Sequence, residues 1–148
     1  MNSQARRRNW PDCLEFERIG APKEGQVLVF VYGSLRKKCG WNFELYLDGS
    51  EWVGDGVTIN PFGLFACPET TLAYLTRLPV SPVVGEVWAV SGATLALIDR
   101  FERDAGYERD LVTVAVGEER VVAGAYFWDG PLEKLTLIEC GDWASVVG

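Results

Sequence analysis

A chain of 148 residues, 48% hydrophobic and 12% aromatic, has ample material for one packed core and does not read as disordered. Its formal charge of −7 argues against a general nucleic-acid binder, and no apolar run approaches the roughly 20 residues that span a bilayer. The absence of histidine removes the commonest general base, the Ser-His-Asp and Cys-His arrangements and most zinc sites. Proton transfer then falls to a carboxylate, Tyr, Lys, Cys or the substrate itself, with Glu or Asp leading by elimination.

Residues 1–25 mix charge, proline and glycine without periodicity and read as an extension outside the core domain of 26–148. Their arginines (Arg6, Arg7, Arg8) precede no apolar stretch, so they make no secretory signal. The first strand runs from Val27 to Val31 and ends in Tyr32-Gly33-Ser34-Leu35, followed by Arg36-Lys37-Lys38. A buried strand feeding a glycine turn can present backbone N–H groups to an anion, although an ordinary core strand and turn looks the same. Residues 41–47, between Gly40 and Gly49, predict a short helix, and Glu51 to Ile59 a strand with a bulge. Asn60-Pro61-Phe62-Gly63 is turn chemistry before the apolar run Leu64-Phe65-Ala66. Pro68, Pro79 and Pro82 predict a loop over 67–82, with at most a turn of helix or strand around Leu72 to Leu75.

Val83 to Val90 reads as a strand interrupted by Gly85 and Glu86, Ser91 as an N-cap, and Ala93 to Arg103 as a helix. Tyr107 to Val116 and Val121 to Trp128 predict a hairpin turned by Gly117-Glu118-Glu119. Many short strands around few helices, without βαβ alternation, point to an α+β domain whose curved sheet approaches a small barrel. Cys13, Cys39, Cys67 and Cys140 form no C-x-x-C pair, which suits free thiols in a reducing compartment, the cytoplasm.

One residue breaks the pattern of the predicted helix. On a wheel of about 100° per residue, Leu97, Phe101, Ala105 and Ile98 form an arc ending at Leu95. Asp99, Arg100, Arg103 and Asp104 fill the opposite side, yet Glu102 falls between Ile98 and Leu95. A carboxylate on an apolar face is costly unless it is paired or its pKa is raised. Glu102 therefore either meets Arg109, Arg77 or a loop N–H, or it is a tuned acid/base in a partly apolar pocket. Tyr107 either adds a hydroxyl at that pocket or packs in the core.

Tyr32-Gly-Ser-Leu-Arg36, Gly40 and Asn42, Val83-Val-Gly-Glu-Val-Trp-Ala-Val90, Ile98-Asp-Arg-Phe-Glu102 and Tyr107-Glu-Arg109 occur in that order. With these motifs the chain resembles the γ-glutamylcyclotransferase-like family, closest to its γ-glutamylamine cyclotransferase branch. Trp88 stands where the family pattern has tyrosine, and the 25-residue extension is unusual for it. The resemblance implies a small mixed β-barrel with flanking helices and a cavity between the Tyr-Gly-Ser-Leu loop and the glutamate helix. It implies Glu102 as the acid/base and Tyr32, Gly33, Ser34 and Leu35 as the substrate loop. The implied reaction cleaves a small-molecule γ-glutamyl amide to 5-oxoproline and an amine, with no cofactor, metal, nucleic acid or membrane. Two rivals stand beside it: a non-catalytic module that binds a glutamyl-like molecule, and a thiol enzyme using Cys39 beside Arg36-Lys37-Lys38.

Overall fold

The computed structural model describes residues 25–37, 46–47, 49–70 and 72–147. Among the described residues, eight strands and two helices follow in chain order: β1 (Gln26–Val31), β2 (Glu51–Thr58), β3 (Phe62–Ala66), β4 (Ala73–Ser81), β5 (Val84–Ser91), α1 (Gly92–Asp104), β6 (Tyr107–Val116), β7 (Glu119–Trp128), β8 (Thr136–Leu137) and α2 (Ala144–Val147).

Five strands close into a barrel in the order β1-β5-β2-β6-β7, and a three-stranded sheet in the order β4-β3-β8 lies beside it. Most pairings are antiparallel; the barrel closes through a parallel contact in which Val29 faces Gly124. The mixed barrel expected from the sequence is therefore present, with α1 as its principal helix among the described residues.

The apolar run of β1 has a simple cause. Leu28 and Phe30 join one core cluster with Val87, Ala89, Val114, Ala123, Ala125 and Phe127, which fills the barrel. Val29 and Val31 join a second cluster with Trp88, Val90 and Ile98, between the barrel wall and α1. A strand buried on both faces cannot alternate with polar residues, so it reads as continuous hydrophobicity. Strand β5 behaves likewise, and its Gly85 marks a close approach. A Cβ there would lie 2.4 Å from the Val31 carbonyl oxygen and 2.6 Å from the Phe30 ring.

Several local expectations hold. Ser91 caps α1, its Oγ accepting the Thr94 N–H at 3.1 Å. Strand β2 carries its bulge between Trp52 and Gly54. The β6–β7 hairpin forms, turned more tightly than expected because Glu119 already pairs with Val116.

Others are corrected. Phe62 and Gly63, expected in a turn, already belong to β3. Residues 73–81 are a strand rather than a loop. Ala66 pairs with Ala73 and Gly63 with Thr76, after which the register jumps to Phe62 opposite Ser81. Pro79 sits in the bulged stretch of this sheet-edge strand, where its missing N–H breaks no necessary ladder bond. On α1 the buried stripe is narrower than the wheel implied: Ile98 is fully buried, but Leu97 is 54% exposed. Of the helix expected over 41–47, only Tyr46 and Leu47 lie among the described residues, as does no part of the 1–24 segment. No helix among the described residues is long and apolar enough to cross a membrane.

Candidate active site

Glu102 sits in the last turn of α1, on the side facing the end of β1. A cavity of about 40 Å³ opens there, enough for a few waters or a small polar group. Tyr32, Gly33, Ser34, Leu35, Glu102 and Tyr107, the residues singled out from the sequence, all line it. Phe30, Val31, Leu72, Ala73, Phe101, Ala105 and Tyr126 complete the wall, so Glu102 is the one charged side chain among the described lining residues.

Among the described residues, neither arginine that would have made Glu102 merely structural pairs with it. Arg109 is held by Asp99, with Nε donating to Oδ1 at 2.9 Å and the second nitrogen to Oδ2 at 3.2 Å. Arg77 is held by Asp110 at 2.9 Å. Burial, with nothing to offset it, pushes the Glu102 carboxyl up to about 7. At neutral pH this group exists in both forms, which suits a site that must accept and return a proton.

Tyrosine hydroxyls around the cavity are committed elsewhere. Tyr32 donates to the Tyr126 carbonyl at 2.6 Å, and Tyr107 to the Ala73 carbonyl at 2.7 Å. Tyr126 donates to Asp99 Oδ1 at 2.6 Å. Burial, reinforced for each by the charge of Glu102, raises all three phenols, so they remain protonated. Tyr107 thus both packs and lines the site: its ring stacks on Tyr74 at 5.7 Å between centroids.

The Tyr32–Leu35 segment turns sharply, with the Arg36 N–H donating to the Gly33 carbonyl at 2.9 Å. Gly33 is needed because a Cβ would lie 2.8 Å from the Ala73 Cβ. Gly33→Ala should therefore push the loop off β4 and destabilise the fold by about 1–3 kcal/mol. Urea denaturation measures this, and an unchanged midpoint would show that the loop and β4 separate freely.

Arg36, although it begins the basic cluster, does not serve the cavity. It is 2% exposed and reaches Asp142 at 2.9 Å and Glu86 at 3.7 Å. Glu86 Oε1 also accepts the Lys37 N–H at 2.8 Å and Trp88 Nε1 at 3.1 Å. These contacts anchor the loop's exit to β5 and to the C-terminal segment. Cys39 and Trp41 lie outside the described residues. Phe62 and Phe65 pack in the core, Phe62 edge-on to Phe127 at 5.4 Å, and neither lines the cavity.

Sequence reasoning missed Tyr126 and the role of Asp99. The two-residue turn at Gly117-Glu118 sets a register in which Arg109 faces Tyr126. Counting across that turn would have brought Tyr126 to the Arg109 end of the hairpin. Nothing local announces its bond to Asp99, which joins different elements. No group of three or more His, Cys, Asp or Glu residues that could hold a metal ion occurs among the described residues.

Residues 29–145 match the family described as gamma-glutamyl cyclotransferase, AIG2-like. The chain belongs to that family. The motifs from Tyr32 to Arg109 all lie inside the matched region. Among γ-glutamylcyclotransferase family proteins, Escherichia coli (strain K12) YtfP is 33% identical over 117 residues, covering 78% of this chain and 94% of YtfP. The crystal structure of an AIG2-like protein from Mus musculus superimposes with a TM-score of 0.70 at 26% identity, covering 79% of this chain and 87% of that one. A solved gamma-glutamyl cyclotransferase shares the fold with a TM-score of 0.59 at 18% identity, over 76% of this chain and 71% of the other.

Proposed function

We propose that this chain converts a γ-glutamyl amide into 5-oxoproline and a free amine, with Glu102 as the acid/base. Membership of the γ-glutamylcyclotransferase family supports the reaction class. The observation that carries the residue assignment is a carboxyl with no counter-ion among the described residues, raised to about 7, facing the Tyr-Gly-Ser-Leu turn across one cavity.

The reaction is an intramolecular aminolysis. The α-nitrogen of the γ-glutamyl unit attacks its own γ-carbonyl carbon; the new C–N bond closes the ring and the old amide C–N bond breaks. Because the five-membered ring brings the reacting atoms together, the protein has only to fold the substrate and move protons. Two protons leave the α-ammonium as it becomes the lactam N–H, and two reach the leaving nitrogen for it to depart as ammonium. A single carboxyl that loads and unloads near neutrality carries them in turn. Backbone N–H groups of Gly33, Ser34 and Leu35 are the proposed cradle for the substrate carboxylate or the developing oxyanion. Tyr32 and Tyr107 form the flanking walls. A pure binder would use Glu102 only to pair the α-ammonium, a task better served by a carboxyl at its ordinary value than by one raised to about 7, which favours the catalytic reading.

Incubating the protein with simple γ-glutamyl amines, γ-glutamyl-ε-lysine and γ-glutamyl-protected biosynthetic intermediates, and reading 5-oxoproline by mass spectrometry, tests the reaction. Its absence from every incubation would leave the binding module as the better account. The pH profile tests the base. Since the free enzyme must hold Glu102 deprotonated, kcat/KM should rise with pH through a midpoint near about 7. Well below it, activity should fall about tenfold per pH unit, and an acid limb near the ordinary carboxylate value would remove Glu102 from this role.

A further inference from the structure

Asp99 lies one helical turn before Glu102 on α1 and accepts three hydrogen bonds from the β6–β7 hairpin: one from Tyr126 and two from Arg109. Arg109 and Tyr126 face each other in the ladder, and Arg109 shares a strand face with Tyr107. Both Tyr107 and Tyr126 line the cavity that holds Glu102. We propose that Asp99 is a positioning residue: by taking the Tyr126 hydroxyl and the Arg109 guanidinium together, it keeps both donors off Glu102.

The surroundings of Glu102 make this consequential. From the β1 end it faces Tyr32, whose hydroxyl is given to the Tyr126 carbonyl; from β6 it faces Tyr107, given to Ala73. Glu108 and Asp110 alternate to the opposite face of β6. On β5, Glu86 is engaged by Arg36, Lys37 and Trp88 and does not line the cavity. Tyr46 packs at a tilt against Phe101, while Arg100, Arg103 and Asp104 of α1 are exposed. Among the described residues, the donors that Asp99 holds are thus the ones whose release would bring a hydroxyl and a positive charge to the cavity wall. Asp99 is itself well suited to holding them. Burial alone would raise its carboxyl, but Arg109 and Tyr126 outweigh that and keep it below the ordinary value.

The test is an NMR titration of the 13C-labelled Glu102 carboxyl, assigned by its disappearance in Glu102→Gln. The midpoint should lie near about 7 in the wild type and at least about one unit lower in Asp99→Ala. Adding Tyr126→Phe and Arg109→Met to Asp99→Ala should return it toward the wild-type value. Asp99→Asn, which keeps an acceptor oxygen but no charge, should give a smaller drop and covers the case in which the alanine variant fails to fold. An unchanged midpoint in both variants, or a drop that persists in the triple variant, overturns the proposal. The inference rests on the proposed base only for its effect on turnover, where the acid limb of kcat/KM should move with the titration. If the titration moves and the acid limb does not, the assignment of Glu102 as base fails while the positioning role stands.

Discussion

Glu102→Gln should lower 5-oxoproline release by about 10²–10⁴-fold while the fold is retained. Glutamine matches the shape and hydrogen-bonding reach of glutamate but cannot take the proton from an α-ammonium. Binding should change less than turnover, because the turn at Gly33–Leu35 is untouched. The same variant carries a second signature of opposite sign. In the wild type the carboxyl titrates at about 7 when folded against an ordinary value of 4.5. Below pH 4.5 both states hold the proton and the group has no effect on stability. Between these values the unfolded chain releases a proton that the folded protein keeps, so wild-type stability falls as pH rises. Glutamine removes this loss. The variant should match the wild type near about pH 4 and exceed it by about 1–3 kcal/mol at about pH 8. Melting curves at the two pH values read this directly. Loss of activity together with loss of stability at the higher pH would mean that Glu102 supports the fold rather than the chemistry.

Arg36→Ala should be the most damaging single change to stability, costing about 3–5 kcal/mol. Desolvating a guanidinium is expensive, and its ion pairs with Glu86 and Asp142 do little more than offset that expense. Truncation removes one charged partner and leaves Glu86, only 2% exposed, with the Lys37 N–H and Trp88 Nε1 as donors but facing the space where the guanidinium had been. Asp142 is better placed, because its side chain keeps 30% of its exposure. At about 2–4 °C per kcal/mol for a chain of this size, the melting temperature should drop by about 6–20 °C. Arg36→Ala with Glu86→Gln should recover part of the loss, since neutral glutamine needs no counter-charge. If the double variant is no better than the single one, the damage comes from lost packing of the arginine stem and not from the lost charge partner of Glu86.

The contrast between Arg36 and Glu102 explains what could be read from the sequence. Each is a charged residue beside apolar neighbours, and nothing in the local pattern tells a buried ion pair from an unpaired carboxylate. Glu102 was visible because the helical period made it an exception. That it meets neither arginine depends on Asp99 capturing Arg109 and Asp110 capturing Arg77, pairings made across different elements. Strands β1 and β5, the Ser91 cap and the β6–β7 hairpin were legible because period, capping and turn chemistry act over a few residues. Strand β4 was not, because prolines in its neighbourhood suggested a loop and only the bulged register against β3 makes Pro79 harmless. The exposed Leu97 shows the limit of a wheel: it gives direction, while the width of the buried stripe is set by what packs against the helix.

Barrel closure through Val29 and Gly124 has a consequence for how the protein comes into being. The first wall of the cavity, at Tyr32, is bonded to a carbonyl 94 residues later, at Tyr126. On a ribosome, β1 can pair with β5 once Ser91 has emerged, but its closing contact must wait for β7. Pairing across such a separation carries a large loop-closure entropy and is characteristic of slow folders. The cavity is accordingly among the last features to form. A nascent or truncated chain that ends before β7 has the glutamate helix and the glycine turn, but lacks Tyr126, the wall residue whose carbonyl holds the Tyr32 hydroxyl.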